Sequence, residues 1–318
     1  MTAAWSDLHR LLRGAVREGE PLAPHTTIRI GGPAAAFAEP QDLDDLRRAL
    51  AWAAEAGRPW RVVGLGSNLL CPDEGFPGLV LALGRACGGW RFEGTRLRAG
   101  AGAHLVPLVH EACRRGLGGL EPLAGIPGTV GGAVAMNAGT PAGTMGDVVR
   151  RVLVLGPDGQ LAWWDRDDLA FGYRRSRLLE EPWVAVEAEL ELVPRDPGTL
   201  AEALRTSAAR RRRTQPLEWP NLGSVWRNPP GDYAGRLVEA AGCKGWRRGD
   251  AEVSERHGNF IVNRGRATAA DVLGLMADVR AAVEGRLGVR LHPEVRWLLG
   301  QADLEARLAA AAARGPEG

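Results

Sequence analysis

The stretch GGLEPLAGIPGTVGGAVAMNAG, residues 118–139, carries seven glycines in 22 positions. Ordering so many glycines costs more backbone entropy than any other composition would. A packed core gains little from that cost. A ligand gains a great deal, because glycine lets the main chain approach an aromatic ring system or phosphates closely. The segment therefore reads as cofactor-contacting. A second candidate lies upstream in VVGLGSNLL, residues 62–70, where an apolar strand enters a turn bearing Ser67 and Asn68. Its two glycines let successive N–H groups converge on a phosphate. It is neither a GK[ST] phosphate loop nor a GxGxxG turn opening a helix. Taken alone it fits an anion cradle and a plain turn equally.

Composition agrees with placing chemistry in such segments. Of 318 residues 43 are Gly, with no Gly-X-Y period and 45 % apolar residues, which excludes collagen and disorder. Six Asn, four Gln, six Ser and the single Lys244 stand against 39 Arg. Every Asn (68, 137, 221, 228, 259, 263) falls in a short segment punctuated by Gly or Pro. Turn preference explains this in part; segments lining a site explain it more sharply.

Charge predicts no polyanion partner. The formal net charge of +2 suggests no nucleic acid and no membrane surface as partner, and the run Arg210 to Arg213 reads as a solvated helix face. No apolar run reaches the ~18 residues of a membrane span, and the first residues read as an amphipathic helix, not a signal peptide. Cys71, Cys87, Cys113 and Cys243 lie too far apart for CxxC pairs. The expectation is a cytoplasmic protein with no metal. Few Asn, Gln, Cys and Met would suit a thermophile, and a GC-rich genome explains the bias equally.

Periodicity predicts a helix from the N-terminus to about residue 17, strands at 28–30 and 34–38, and a helix from an Asp42 cap to about residue 56. Strands follow at 61–63, 79–83 and 97–99, then a helix over 104–115. Residues 148–155 and 160–164 flank Gly156-Pro157-Asp158-Gly159 as a hairpin, and 183–193 alternates as a half-buried strand. A linker is expected at 194–198. Beyond it come a helix at 200–213, a Pro-, Asn- and Gly-rich loop at 215–231, a helix at 236–241, a strand at 259–262, a capped helix at 268–287, a strand at 291–299 and a helical or disordered tail. The plan is α+β, in two units joined near residue 195.

The segments GLGSNLL (64–70) and LAGIPGTVGGAVAMNAG (123–139) resemble the FAD-binding domain of the UDP-N-acetylenolpyruvoylglucosamine reductase (MurB) family. The likeness continues in order through FGYRRS (171–176), QPLEWPNLGSVWRNPPG (215–231), AGCKGWRRGDAEVSERHGNFIVN (241–263) and HPEV (292–295). It covers about His25 to Leu299, without an obvious extra insertion, like the shorter type of the family. The fold so implied is an FAD-binding domain of the vanillyl-alcohol-oxidase (PCMH) type. Its N-terminal helix and two α+β subdomains would fill residues 1–195, with a smaller α+β substrate domain over 196–300 and a tail over 301–318.

That resemblance implies non-covalent FAD, with NADPH as co-substrate. Cofactor contacts are expected from Gly64, Leu65, Gly66, Ser67, Asn68 and Leu69, and from Gly125, Ile126, Gly128, Thr129, Gly132, Ala133, Asn137 and Gly139. The implied reaction of cell-wall synthesis reduces UDP-N-acetylglucosamine enolpyruvate to UDP-N-acetylmuramate, hydride passing from flavin N5 to C3. Arg174, Ser224 and Glu294 match the family's catalytic arginine, proton donor and glutamate. An arginine fork suits developing negative charge. A serine hydroxyl protonates C2 only if the carbanion is very basic and a hydrogen-bond network supports it. A carboxyl at Glu294 could hydrogen-bond the enolate-like carboxylate if kept protonated. Tyr173 is expected against substrate or nicotinamide, Asn228 on the sugar nucleotide and Arg227 on its diphosphate. His257 fits ligand contact and loop support equally.

Three departures from the family pattern are Trp226-Arg227 for a common Phe-Lys, His292-Pro293 ahead of the glutamate, and Thr129 for a common Ser. The rivals are a flavin oxidase on the same fold and a non-catalytic nucleotide-sugar binding module.

Overall fold

The computed structural model describes residues 5–314, which form two compact units, each interrupted in sequence. The first takes residues up to Gly19, Ala35–Leu65 and Pro77–Arg210. The second takes Glu20–Ala34, Gly66–Phe76 and the chain from Arg211 onward. The division is thus interleaved instead of a single cut after residue 195. Nor is 194–198 a linker. Val193–Pro194 pairs antiparallel with Leu117–Gly118, and Asp196 accepts the Thr199 N–H at 2.7 Å, starting a helix at Pro197.

The first unit has two apolar cores, as two subdomains require. Helix α1 (Trp5–Leu11) and helix α2 (Leu43–Glu55) bury Leu8, Leu46 and Leu50 with Leu79 and Leu81 of a four-stranded sheet. That sheet has the order Ala15–Pro21, Pro33–Glu39, Phe76–Ala82, Trp60–Val63, its last two strands parallel. Asp42 caps α2 as its sequence suggests, accepting the Asp45 N–H at 3.0 Å. The second core lies between a five-stranded antiparallel sheet and helices α3 (Leu105–Arg114), α4 (Val130–Ala135) and α5 (Pro197–Thr214). Its strand order is Leu161–Asp165, Val149–Leu155, Val184–Glu191, Arg96–Gly100, Trp90–Glu93. The Gly156–Gly159 turn closes the expected hairpin, with Gly159 at φ +79°. The basic residues at 211–213 occupy the last turn of α5, where cations suit the helix dipole.

In the second unit helices α6 (Ala234–Ala240), α7 (Ala269–Leu287) and α8 (Gln301–Arg314) enclose a core with the sheet Arg247–Arg248, Ala251–Val253, Ile261–Asn263. Thr268 and Asp271 form a reciprocal capping box at the start of α7, and Gly288 ends it in the left-handed region. The tail is helical through residue 314 and buries Leu304, Leu308 and Ala311; residues 315–318 lie outside the described chain.

Three expected elements take another form. The N-terminal helix stops at Leu11, and Ala15–Pro21 is a strand. The backbone N–H groups of Arg13 and Gly14 are captured by the buried Asp45 carboxylate at 3.1 and 2.8 Å, which breaks the helix. Residues 28–30 are a turn, because Thr26 Oγ1 bonds both N–H and C=O of Ile30 while Arg29 takes φ +60°. Of 291–299 only Arg296–Trp297 forms a strand, in parallel with Leu69–Leu70, and Pro293 makes a single bridge. Among the described residues no helix is long and apolar enough to cross a membrane.

Candidate active site

In the first unit the two glycine-rich segments meet. Thr129 is the N-cap of α4, its Oγ1 accepting the Gly132 N–H at 3.3 Å. A Cβ on Gly64 would stand 2.8 Å from that same oxygen, and one on Gly131 would stand 2.9 Å from Ala101 Cβ. Gly125 and Gly128 take φ +77° and +155°. Gly64, Leu65 and Gly132 stay exposed while Thr129 and Ala133 are buried beneath them; Ile126 is half-buried and packs on the core. Two backbone turns thus approach as closely as glycine allows and leave main chain at the surface. That is the cradle a flattened dinucleotide such as FAD fits.

Immediately downstream, three polar contacts pin the segment 171–176 onto the end of the second glycine-rich stretch. Asn137 Nδ2 donates to Gly172 O at 3.0 Å, Arg174 Nη2 to Gly139 O at 2.8 Å, and Ser176 Oγ to Ala135 O at 2.7 Å. Gly172 and Arg175 close the turn by an antiparallel bridge. Arg174 is held at φ +54°, a left-handed conformation uncommon outside glycine and asparagine. Its guanidinium lies 5.2 Å from the ring centre of Tyr173, which is 53 % exposed. The expected arginine and tyrosine thus form one presented pair.

The second unit pairs the backbone segments that carry Ser224 and Glu294. Val225 O accepts the N–H of Glu294 at 2.8 Å, Arg227 N–H reaches His292 O at 2.9 Å, and Trp226 bridges Pro293 antiparallel. Ser224 is half-buried and Glu294 is buried. Gly223 precedes the serine at φ +71°, its N–H held by Asn221 Oδ1 at 2.9 Å. The turn at Gly66, Ser67, Asn68 and Leu69 supports the same place. Asn68 Nδ2 donates to Glu294 O at 3.1 Å, and Arg296 N–H donates to Asn68 O at 2.9 Å. Gly66, at φ +61°, would drive a Cβ to 2.2 Å from His25 O.

Arg227 and Asn228 follow the serine directly. Arg227 Nε is buried with no hydrogen-bond partner among the described residues. Burial, and then the charge of Arg227, lower the pKa of Arg296, so two guanidiniums share this corner. Asn228 is exposed and its Oδ1 accepts the Ala234 N–H at 3.0 Å. His257 is a loop support here. Its Nδ1 accepts the Asn259 N–H at 3.1 Å, its ring packs on Phe260, and burial lowers its pKa, with Lys244 adding to the effect.

Sequence reasoning did not assign Asn259 a role, yet its side chain holds the Ser224 strand. Oδ1 accepts the Trp226 N–H and Nδ2 donates to Trp226 O, both at 2.8 Å. The signal was its rarity, since asparagine is scarce in this chain and Asn259 lies in a motif. Ser176 escaped in the same way.

Comparison with known proteins agrees with this geometry. Residues 215–298 match the model of the UDP-N-acetylenolpyruvoylglucosamine reductase C-terminal domain, and 34–165 match an FAD binding domain. The UDP-N-acetylenolpyruvoylglucosamine reductase 2 of Symbiobacterium thermophilum is 49 % identical over 89 % of this chain and 92 % of its own length. That of Moorella thermoacetica is 48 % identical over 93 % of this chain and 97 % of its own. The crystal structure of the Thermus caldophilus reductase (MurB) superposes with TM-score 0.78 at 38 % identity, covering 90 % of this chain and 99 % of that one. The chain belongs to the UDP-N-acetylenolpyruvoylglucosamine reductase family, oxidoreductases that use FAD and NADPH.

Proposed function

We propose that Arg174, Ser224 and Glu294 divide the chemistry of the family reaction, the reduction of UDP-N-acetylglucosamine enolpyruvate to UDP-N-acetylmuramate. When bound, FAD carries a hydride from NADPH to C3 of the enolpyruvyl group. The residues of this chain must then stabilise the negative charge that develops over C2 and the carboxylate, and deliver a proton to C2. Arg174 supplies a permanent positive charge, on a turn already fixed by the Gly139 contact. Ser224 donates the proton from its hydroxyl. Glu294, buried and joined to the serine strand through Val225, holds the adjacent carboxylate end. Arg227, whose buried Nε has no acceptor among the described residues, takes the substrate diphosphate, and Asn228 the sugar nucleotide. Tyr173 lies against substrate or nicotinamide.

The glycine cradle of Gly64, Leu65, Gly125, Ile126, Gly128, Thr129, Gly132 and Ala133 holds the flavin non-covalently, and Gly66, Ser67, Asn68, Leu69 and Gly139 complete the contacts. Small molecules are the only partners this requires, and the cytoplasm supplies all of them.

The observation that supports this reading is the backbone bond from Glu294 to Val225, which links the segments bearing Ser224 and Glu294. Ser224→Ala tests it. Reduction of the flavin by NADPH should stay near wild type, whereas reoxidation by the enolpyruvyl sugar nucleotide should slow by about 100-fold or more, as loss of a general acid does. Equal slowing of both half-reactions would remove Ser224 from the donor role.

A further inference from the structure

We propose that Asn137 is a positioning residue that sets the turn bearing Tyr173 and Arg174, instead of presenting its amide to the flavin. The inference rests on the role of Arg174 proposed above. Asn137 is only 7 % exposed, and both ends of its amide are engaged within the protein. Oδ1 accepts the Gly146 N–H at 2.8 Å while Nδ2 donates to Gly172 O at 3.0 Å. Gly146 allows this approach because a Cβ there would meet Phe171 Cδ2 at 2.9 Å and Asn137 Oδ1 at 3.0 Å. Asn137 itself takes φ +42°, which asparagine tolerates. Two residues beyond Gly172, Arg174 sits at φ +54°, and a long side chain persists in that region only when its surroundings over-determine it. The Gly139 and Ser176 contacts fix the turn from its far side. Asn137 fixes it at the carbonyl from which the left-handed step departs.

The test substitutes Asn137→Asp in the full-length, flavin-loaded protein. The carboxylate keeps an acceptor for Gly146 and sets a second oxygen against Gly172 O, so only the clamp is lost. Hydrogen exchange read by mass spectrometry should quicken about tenfold or more across 171–176 and stay unchanged in α3. Flavin content per chain and reduction by NADPH should match wild type. Reoxidation by the enolpyruvyl sugar nucleotide should slow about tenfold, in kcat and not in KM. In an Arg174→Ala background the same substitution should change reoxidation less than about twofold, since the residue it positions is gone. Should the aspartate variant fail to fold, Asn137→Gly, which accepts the positive φ, carries the same expectations. Unchanged exchange over 171–176, loss of flavin with the turn still protected, or full slowing in the Arg174→Ala background would each overturn the assignment. If Arg174→Ala alone leaves reoxidation intact, the role of Arg174 fails, and the exchange result still decides the clamp.

Discussion

Gly66 shows how much of this molecule is decided by single positions. It combines φ +61° with a space in which a methyl group would stand 2.2 Å from His25 O. Gly66→Ala should therefore cost about 1–3 kcal/mol from backbone strain alone. The cost appears as a lower melting temperature and weaker flavin retention, while Gly84→Ala, with open space around it, should leave both unchanged. Equal effects of the two substitutions would show that the turn does not need its glycine. Residues of this kind were legible, because glycine density marks where backbone must come close. Ser224 and Glu294 take their proposed roles from their motifs. The work of Asn137 and Asn259 was not, because each bonds to backbone about 35 residues further on or 33 residues back, and no local pattern encodes such a partner. Rarity flagged them without saying what they hold.

At the scale of elements, local rules succeeded where local chemistry decides. Asp42 and Thr268 begin helices and Gly288 ends one, all by capping that short-range sequence encodes. The misread elements are those that a distant group controls. Asp45 ends α1 from 31 and 32 residues away by accepting the Gly14 and Arg13 N–H groups, and it also accepts from Gln41 and Arg48. Burial raises its carboxyl pKa, but the Arg48 bond and these backbone donors prevail, and the group stays well below its ordinary 3.8. A depressed folded-state pKa gives stability that is complete above the unfolded value and lost as pH falls through the folded one. Acid unfolding below about pH 4 should therefore include Asp45. Asp45→Asn should lower stability at neutral pH by about 1–3 kcal/mol and flatten the acid limb of the stability profile. An unaltered slope in denaturant titrations at low pH would show that this carboxylate is not what holds the junction.

For the whole molecule, composition told more than length did. The glycine excess and the scarce asparagines pointed to segments that approach a cofactor closely, and the match to an FAD binding domain agrees. The interleaving of the two units stayed hidden. Residues 20–34 and 66–76 belong to the second unit through long-range contacts such as Thr27 Oγ1 to Asn221 O at 2.7 Å and Asn263 Nδ2 to Ile28 O at 3.0 Å. Such contacts join chain ends that no composition shift marks, whereas the apparent linker at 194–198 is in fact a strand end and a capped helix start. The four cysteines are buried, and burial pushes the Cys71 and Cys87 thiols up to about 12. Thiols raised in this way are poor nucleophiles at neutral pH. The most direct measurement follows the flavin absorbance of the purified protein in anaerobic stopped flow, adding NADPH first and UDP-N-acetylglucosamine enolpyruvate second. The expected record is a yellow protein that bleaches with NADPH and regains its colour with the enolpyruvyl sugar nucleotide, leaving UDP-N-acetylmuramate. A flavin that stays oxidised with NADPH, or stays reduced when the sugar nucleotide is added, would contradict the account.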